Sequence, residues 1–330
     1  MAVLAGAGCT STSKGAATGP PQAVSQAPAP TTPGSTRSRS AVAATTPART
    51  PVTTVTTVPA LPAPAPLTPL VSPALTGEGY WRPGGNPLPT GYAVYTTLLR
   101  PAAGQPECGV AWIDPRAARL ALYAGSVEPV GSWPQQSFVG AAQQPALVAA
   151  FNAGFKIYSY NTGWYDQGRQ AEPLQAGAAS LVIYSNGTAT VGEWGRDVSM
   201  GADVVAVRQN LTLLVDHGAP TPAAQYPADW GAVLGGGSVT WRSALGVTAA
   251  GDLVYAGGPG LTPSELADVM VAARAQRAME LDINPEWVSF ATFAASGGAV
   301  TGTNLLADMY LSPEHYLQPY SRDFFAVFAR

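Results

Sequence analysis

The chain has 330 residues, a formal net charge of −3 and only 11% charged side chains, unevenly spread. Residues 10–75 hold 13 of the 31 prolines, no aromatic residue and no Asp or Glu, whereas all eight Trp fall between Trp81 and Trp287. Setting aside that stretch's cations (Lys14, Arg37, Arg39 and Arg49) leaves 13 basic against 20 acidic residues, a net of −7, which argues against the basic face of a nucleic-acid binder.

The opening "MAVLAGAGC" is apolar up to Cys9 and has no basic flank. It resembles the end of a bacterial lipoprotein signal, in which the Cys after small residues is lipidated. Gly6 stands where that pattern usually has Leu, and the alternative is an arbitrary hydrophobic N-terminus. Residues 1–9 are read as a truncated signal segment with Cys9 as the lipidation site. Residues 10–75 cannot bury enough apolar area to offset their chain entropy, so they read as a disordered Pro/Ala/Thr-rich linker. The expected location is extracytoplasmic, either secreted or lipid-anchored to the cell membrane, with no other membrane contact. Nothing later is apolar enough to span a bilayer. Cys108 reads as a buried small hydrophobe, since nothing places a His beside it.

From residue 76 to 330 a single domain is expected. "YAVYTTLLR" (92–100), "CGVAWID" (108–114) and "ARLALYAG" (118–125) read as strands. "PALVAAFNAGFK" (145–156) is a buried apolar run that ends in a turn. "ASLVIYSNGTATVGEW" (179–194) is a hairpin whose Asn186-Gly187 suits a type I′ turn. "DVVAVRQNLTLLVDHG" (203–218) reads as another strand pair, and "SALGVTAAGDLVYAGG" (243–258) as a hairpin around Ala250-Gly251-Asp252. Thr262, Pro263 and Glu265 form a capping box that opens a helix through about residue 276, with Leu266, Val269, Met270 and Ala273 on its apolar stripe. "AMELDI" (278–283) and "DFFAVFAR" (323–330) read as strands. The predicted class is α+β: mixed, largely antiparallel hairpin-rich sheets with a few helices.

Familiar catalytic signatures are missing. There is no G-x-S-x-G, no H-E-x-x-H, and "GGGS" (235–238) lacks the Lys-Ser/Thr of a phosphate loop. The only two His residues are His217 and His315, which argues against a His metal site. His217, in "VDHGAP", is either a turn residue or a base. Three segments stand out. In "FNAGFK" (151–156), Asn152 sits in a buried run and either ties its own turn or meets a ligand. In "WRSALG" (241–246), Arg242 forms either a surface ion pair or a planar fork for a phosphate or carboxylate. In "ELDINPEW" (280–287), Asp282 and Glu286 flank Asn284-Pro285.

In that order and spacing the three segments resemble the phosphodiester glycosidase family, over roughly residues 90–330. "FNAGFK" is similar to its Asn-Gly-Gly-Phe-Phe-type motif, "WRSALGVTAAGDLVY" to its Arg-Thr-Ala-hydrophobic-Gly motif with a following hairpin, and "ELDINPEW" to its strand followed by Asp-Gly-Gly-Gly-Ser. Ile283, Asn284 and Pro285 replace the three glycines and Glu286 replaces the Ser. The resemblance implies a secreted or envelope-associated hydrolase that cleaves the glycosidic bond of a sugar phosphodiester or related glycan. Asp282, Glu286 and Arg242 would be catalytic, and Asn152, Lys156, Ser243, Asn284, Trp287 and His217 would contact substrate. Trp287 either stacks on a sugar face or is buried. No cofactor is implied, with a divalent cation beside Asp282 left open, and the partner is the glycan or sugar-phosphate substrate. The alternative is a non-catalytic glycan-binding or envelope-scaffold protein on the same fold.

Overall fold

A computed structural model describes residues 60–160 and 162–330; Cys9 and its proposed lipidation lie outside the described residues. Among the described residues the protein is mainly β, with 40% strand and 11% helix, which corrects the α+β expectation. Only one stretch combines a 3.6-residue apolar period with a cap, and it gives the ten-residue helix Pro263–Ala272 with its capping box formed. The other α-helix among the described residues is the single turn Ile157–Tyr160. The long helix stops short of residue 276 because Arg274 turns left-handed (φ 70) and a strand begins at Ala275.

The strands form three sheets among the described residues, and every paired strand is antiparallel. The largest has eight strands, with Cys108–Ile113, Leu253–Leu261, Thr240–Thr248, Ala275–Ile283 and Leu213–Asp216 adjacent in that order. A five-stranded sheet centres on Val204–Gln209, between Trp164–Asp166 and Ala179–Tyr184. Another five-stranded sheet places Leu147–Asn152 between Phe290–Ser296 and Phe324–Ala329. All three sheets contribute to one core that includes Phe151, Leu181, Leu245, Tyr255, Leu281, Phe290 and Phe325. The outer face of the large sheet packs on the long helix through Val254, Ala256, Leu266, Val269, Met270 and Ala278.

Two local expectations change. The strands Val204–Gln209 and Leu213–Asp216 do not pair with each other; the chain crosses between them from one sheet to another through Leu211 at φ 49. At the 179–194 hairpin only Gly187 has positive φ, so the turn is not type I′; Asn186 Oδ1 accepts from the Thr188 N–H and hydroxyl instead.

Residues 60–75, within the stretch read as linker, lie against the domain. Leu67 is buried and its N–H donates to Gly79 O at 2.9 Å. Trp81 Nε1 donates to Ala65 O, Arg274 Nη2 to Pro66 O and Arg100 Nη2 to Pro73 O. An extended proline-rich chain makes no internal hydrogen bonds, so its carbonyls are free for such donors. Gly79 is required at this crossing, because it has φ +79 and a Cβ there would lie 2.2 Å from Leu67 O. A chain beginning at residue 60 is expected to match the full chain in urea unfolding, whereas one beginning at residue 76 loses Leu67 burial, about 2 kcal/mol. Equal midpoints for the two truncations would mean that the docked segment adds nothing.

Candidate functional site

The three segments singled out in sequence meet at one end of the sheets. Asn152 closes the strand Leu147–Asn152, and its Nδ2 donates to Ser243 Oγ at 3.0 Å. Ser243 Oγ in turn donates to the backbone carbonyl of Asp282 at 2.7 Å. Asn152 Oδ1 accepts from Tyr255 OH and from the Ser289 N–H, each at 3.1 Å. The buried amide is therefore satisfied by protein groups, and it couples the first motif to the other two.

A bulge decides where the acids point. Between the pairs Ala244–Glu280 and Arg242–Ile283, the strand Ala275–Ile283 carries one residue more than its neighbour. Without the extra residue Glu280 and Asp282, two apart, would share a face. Instead Glu280 turns to the helix side and meets Arg242 Nη1 at 2.7 Å, while Asp282 Oδ2 accepts from Arg322 Nη2 at 2.7 Å.

Arg242 is fully buried. Besides Glu280 it donates to Leu261 O, Trp230 O and Ser238 O, which uses four of its five N–H groups. It ties strands and loops on the side away from Asp282 and presents no free fork to a ligand. Burial pushes the Glu280 carboxyl up against the pull of Arg242.

The cation beside Asp282 is Arg322. It lies just before the strand Phe324–Ala329 and lines a cleft of about 470 Å³ with Glu128, Lys156, Tyr158 and Trp287. Its guanidinium sits 4.9 Å over the Trp287 ring and donates to Gly154 O at 3.0 Å. Its Nε is buried with no hydrogen-bond partner and lies 3.9 Å from Glu128 Oε2. Asp282 is 7% exposed behind Arg322. Burial raises its carboxyl to about 6, with Arg322 and the Ile283 N–H pulling it back. A second buried pair, Arg208 Nε to Asp323 Oδ2 at 2.7 Å, supports the same corner. Asn210 adds a third tie, donating to the carbonyls of Glu280 and Leu281. Gly154 faces Asn210, with Cγ only 3.1 Å from where a Cβ would stand.

Lys156 is exposed and Trp287 half-buried on the cleft wall. Asn284 does other work. It has φ 73, the left-handed conformation that Asn tolerates best after Gly, and its side chain pins the 232–240 loop through Ala232 O, Leu234 N and Thr240 Oγ1. Glu286 is not part of the cleft lining; its Oε2 is buried without a hydrogen-bond partner. His217 is far from Asp282, on an exposed turn whose Gly218 N–H donates to Gln276 O, six residues and about 20 Å along the strand from Asp282. Cys108 is fully buried and its thiol is pushed up to about 12, as expected for a packing residue.

Sequence reading missed Arg322, Asp323, Arg208, Glu280 and Glu128. One signal was available: Arg322 and Asp323 are a charge pair directly before the apolar strand "FFAVFA". Among the described residues no group of three or more His, Cys, Asp or Glu side chains is arranged to hold a metal ion. No helix among them is long and apolar enough to cross a membrane.

No protein-family profile matches the chain, and no curated protein matches its sequence. Solved structures do. The catalytic domain of zebrafish N-acetylglucosamine-1-phosphodiester alpha-N-acetylglucosaminidase, auto-inhibited by its pro-peptide, aligns at 12% identity over 75% of this chain and 87% of that one, with a TM-score of 0.45. A hypothetical protein from Synechocystis aligns at 13% identity over 72% of this chain and 62% of that one, with a TM-score of 0.42.

Proposed function

We propose that the protein is a hydrolase that cleaves the glycosidic bond of a sugar phosphodiester or a related cell-envelope glycan, acting outside the cytoplasm. The observation that carries this reading is Arg322. It holds Asp282 at 2.7 Å, lies on the wall of an open cleft beside Lys156, and keeps a buried Nε with no acceptor. The Nε itself is enclosed, with Glu128 Oε2 3.9 Å away, so a phosphate would meet the part of the guanidinium that lines the cleft, beside Lys156. Motif resemblance and the hydrogen-bonded chain Asn152–Ser243–Asp282 support the same reading.

In this reading Arg322 and Lys156 hold the phosphate, and Asp282 stabilises positive charge developing at the anomeric carbon. Water adds to that carbon and the bond to the phosphate oxygen breaks. The phosphate leaves with the electron pair, and the proton lost by water passes to a carboxylate. Asp282 serves this role only when ionised, so activity rises with pH through about 6. Arg322 is one of the groups holding that value down. Arg322→Gln is therefore expected to move the acid limb of kcat/KM upward by about one pH unit or more, along with a higher KM. An unmoved limb would separate Arg322 from the ionisation that governs turnover.

The general test is a panel of sugar 1-phosphodiesters assayed for release of free sugar. Turnover of at least one by wild type, lost in Asp282→Asn, is the expected result. A second reading, non-catalytic glycan binding, is favoured by one observation: Asp282 is nearly buried and already paired. Saturable glycan binding with no turnover of any panel member would establish that reading and overturn the first.

A further inference from the structure

We infer that the cleft beside Asp282 takes a phosphodiester whose second ester is a hydrocarbon chain, so that the leaving group is an alkyl or prenyl phosphate; this rests on the hydrolase reading above. The cleft combines two chemistries. Lys156 and Arg322 line it as cations, with Glu128 on the same wall. Its remaining lining is Val127, Val130, Tyr158 and Trp287, with Ser159 and Ser321 close in the chain to Lys156 and Arg322. Val127 is 67% exposed, Val130 71% and Tyr158 44%. Exposed apolar residues scattered singly need no explanation, but here three surround the mouth of one cleft.

The backbone that carries these side chains is held in place. The Val127 and Glu128 N–H groups both donate to Ser321 O, at 3.3 and 3.2 Å. The Val130 N–H donates to Tyr158 OH, and the Tyr158 N–H donates to Glu128 Oε1, each at 3.1 Å. The loop is thus tied to the residue next to Arg322 and to the helical turn that follows Lys156. One Glu128 oxygen is already committed, and the apolar rim is fixed against the cationic wall. A sugar beyond the phosphate would call for hydrogen-bonding side chains where the valines stand. A hydrocarbon chain needs only apolar surface, and the adjoining cations match the phosphate it carries.

The test is calorimetric binding of methyl phosphate and hexyl phosphate to the full chain, in wild type and in Val127→Ser/Val130→Ser. Each methylene buried should tighten binding about fourfold. Hexyl phosphate is expected to bind at least about tenfold more tightly than methyl phosphate, and the double variant should lose that gain while its methyl phosphate affinity stays unchanged. Both valines are exposed, so the variant is expected to fold. Equal affinity of the two phosphates in wild type overturns the inference, whatever happens to turnover. A gain that survives in the double variant also overturns it. Binding of neither phosphate overturns this inference and leaves the hydrolase reading to the turnover panel, whereas hexyl-selective binding with no turnover on any diester removes the hydrolase reading and the leaving-group role and leaves the apolar phosphate subsite standing. Geranyl phosphate compared with dihexanoyl-glycerol phosphate then separates a prenyl from a glycerolipid source.

Discussion

Asp282→Asn is expected to lower turnover by about 10³-fold or more on any diester the wild type cleaves, without unfolding the protein. The amide keeps the shape of the carboxylate, and its oxygen still accepts from the Ile283 N–H or from Arg322, as the carboxylate does at 2.9 and 2.7 Å. What disappears is the negative charge that the proposed mechanism sets against the anomeric carbon. Arg322 retains Gly154 O and the nearby Glu128, so its loss of a partner is only partial. The check is steady-state kinetics beside a urea melt. Glu286→Gln and Glu128→Gln should each lower the rate less, and added azide, a nucleophile with no proton to lose, should rescue whichever of them takes the proton from water. It should not rescue Asp282→Asn. If Asp282→Asn keeps wild-type turnover, the "ELDINPEW" turn is structural.

Arg242→Met should produce the largest loss of stability, about 3–5 kcal/mol. The substitution leaves Glu280 buried without its cation and strips a donor from Leu261 O, Trp230 O and Ser238 O. At an m-value of about 3 kcal/mol/M this lowers the urea midpoint by about 1 M or more. Arg242→Met/Glu280→Met should recover part of the loss, because two apolar side chains leave no uncompensated charge. The double-mutant cycle measures the coupling. A stable Arg242→Met protein that binds substrate but does not turn over would return Arg242 to the catalytic role that motif resemblance implies.

Sequence alone determined the elements that depend on local chemistry. The Thr262–Glu265 capping box, the hairpin at 243–258 and the apolar strand before Asp282 were legible because caps, turns and alternation act over a few residues. Composition likewise separated the proline-rich stretch from the Trp-bearing domain, although residues 60–75 of that stretch dock onto it through carbonyls whose donors are up to 208 positions away. The three motifs were legible as segments that belong together, and Asn152, Ser243 and Asp282 do join in one hydrogen-bonded chain.

Only the tertiary structure decided which charges meet. The extra residue between Glu280 and Ile283 sends two neighbouring acids to opposite faces, and a bulge leaves no mark in a period-2 pattern. It assigns Arg242 to Glu280 and gives Asp282 to Arg322, forty positions along the chain. The fold class shifted from α+β to mainly β because one stretch alone carries a cap and a 3.6-residue apolar period, and the apolar runs without that period, 147–152 among them, pair as strands. Asn284 shows both levels at once. Its type suits a left-handed turn where glycine is usual, but its hold on the 232–240 loop depends on a contact some fifty residues away, which no local rule contains.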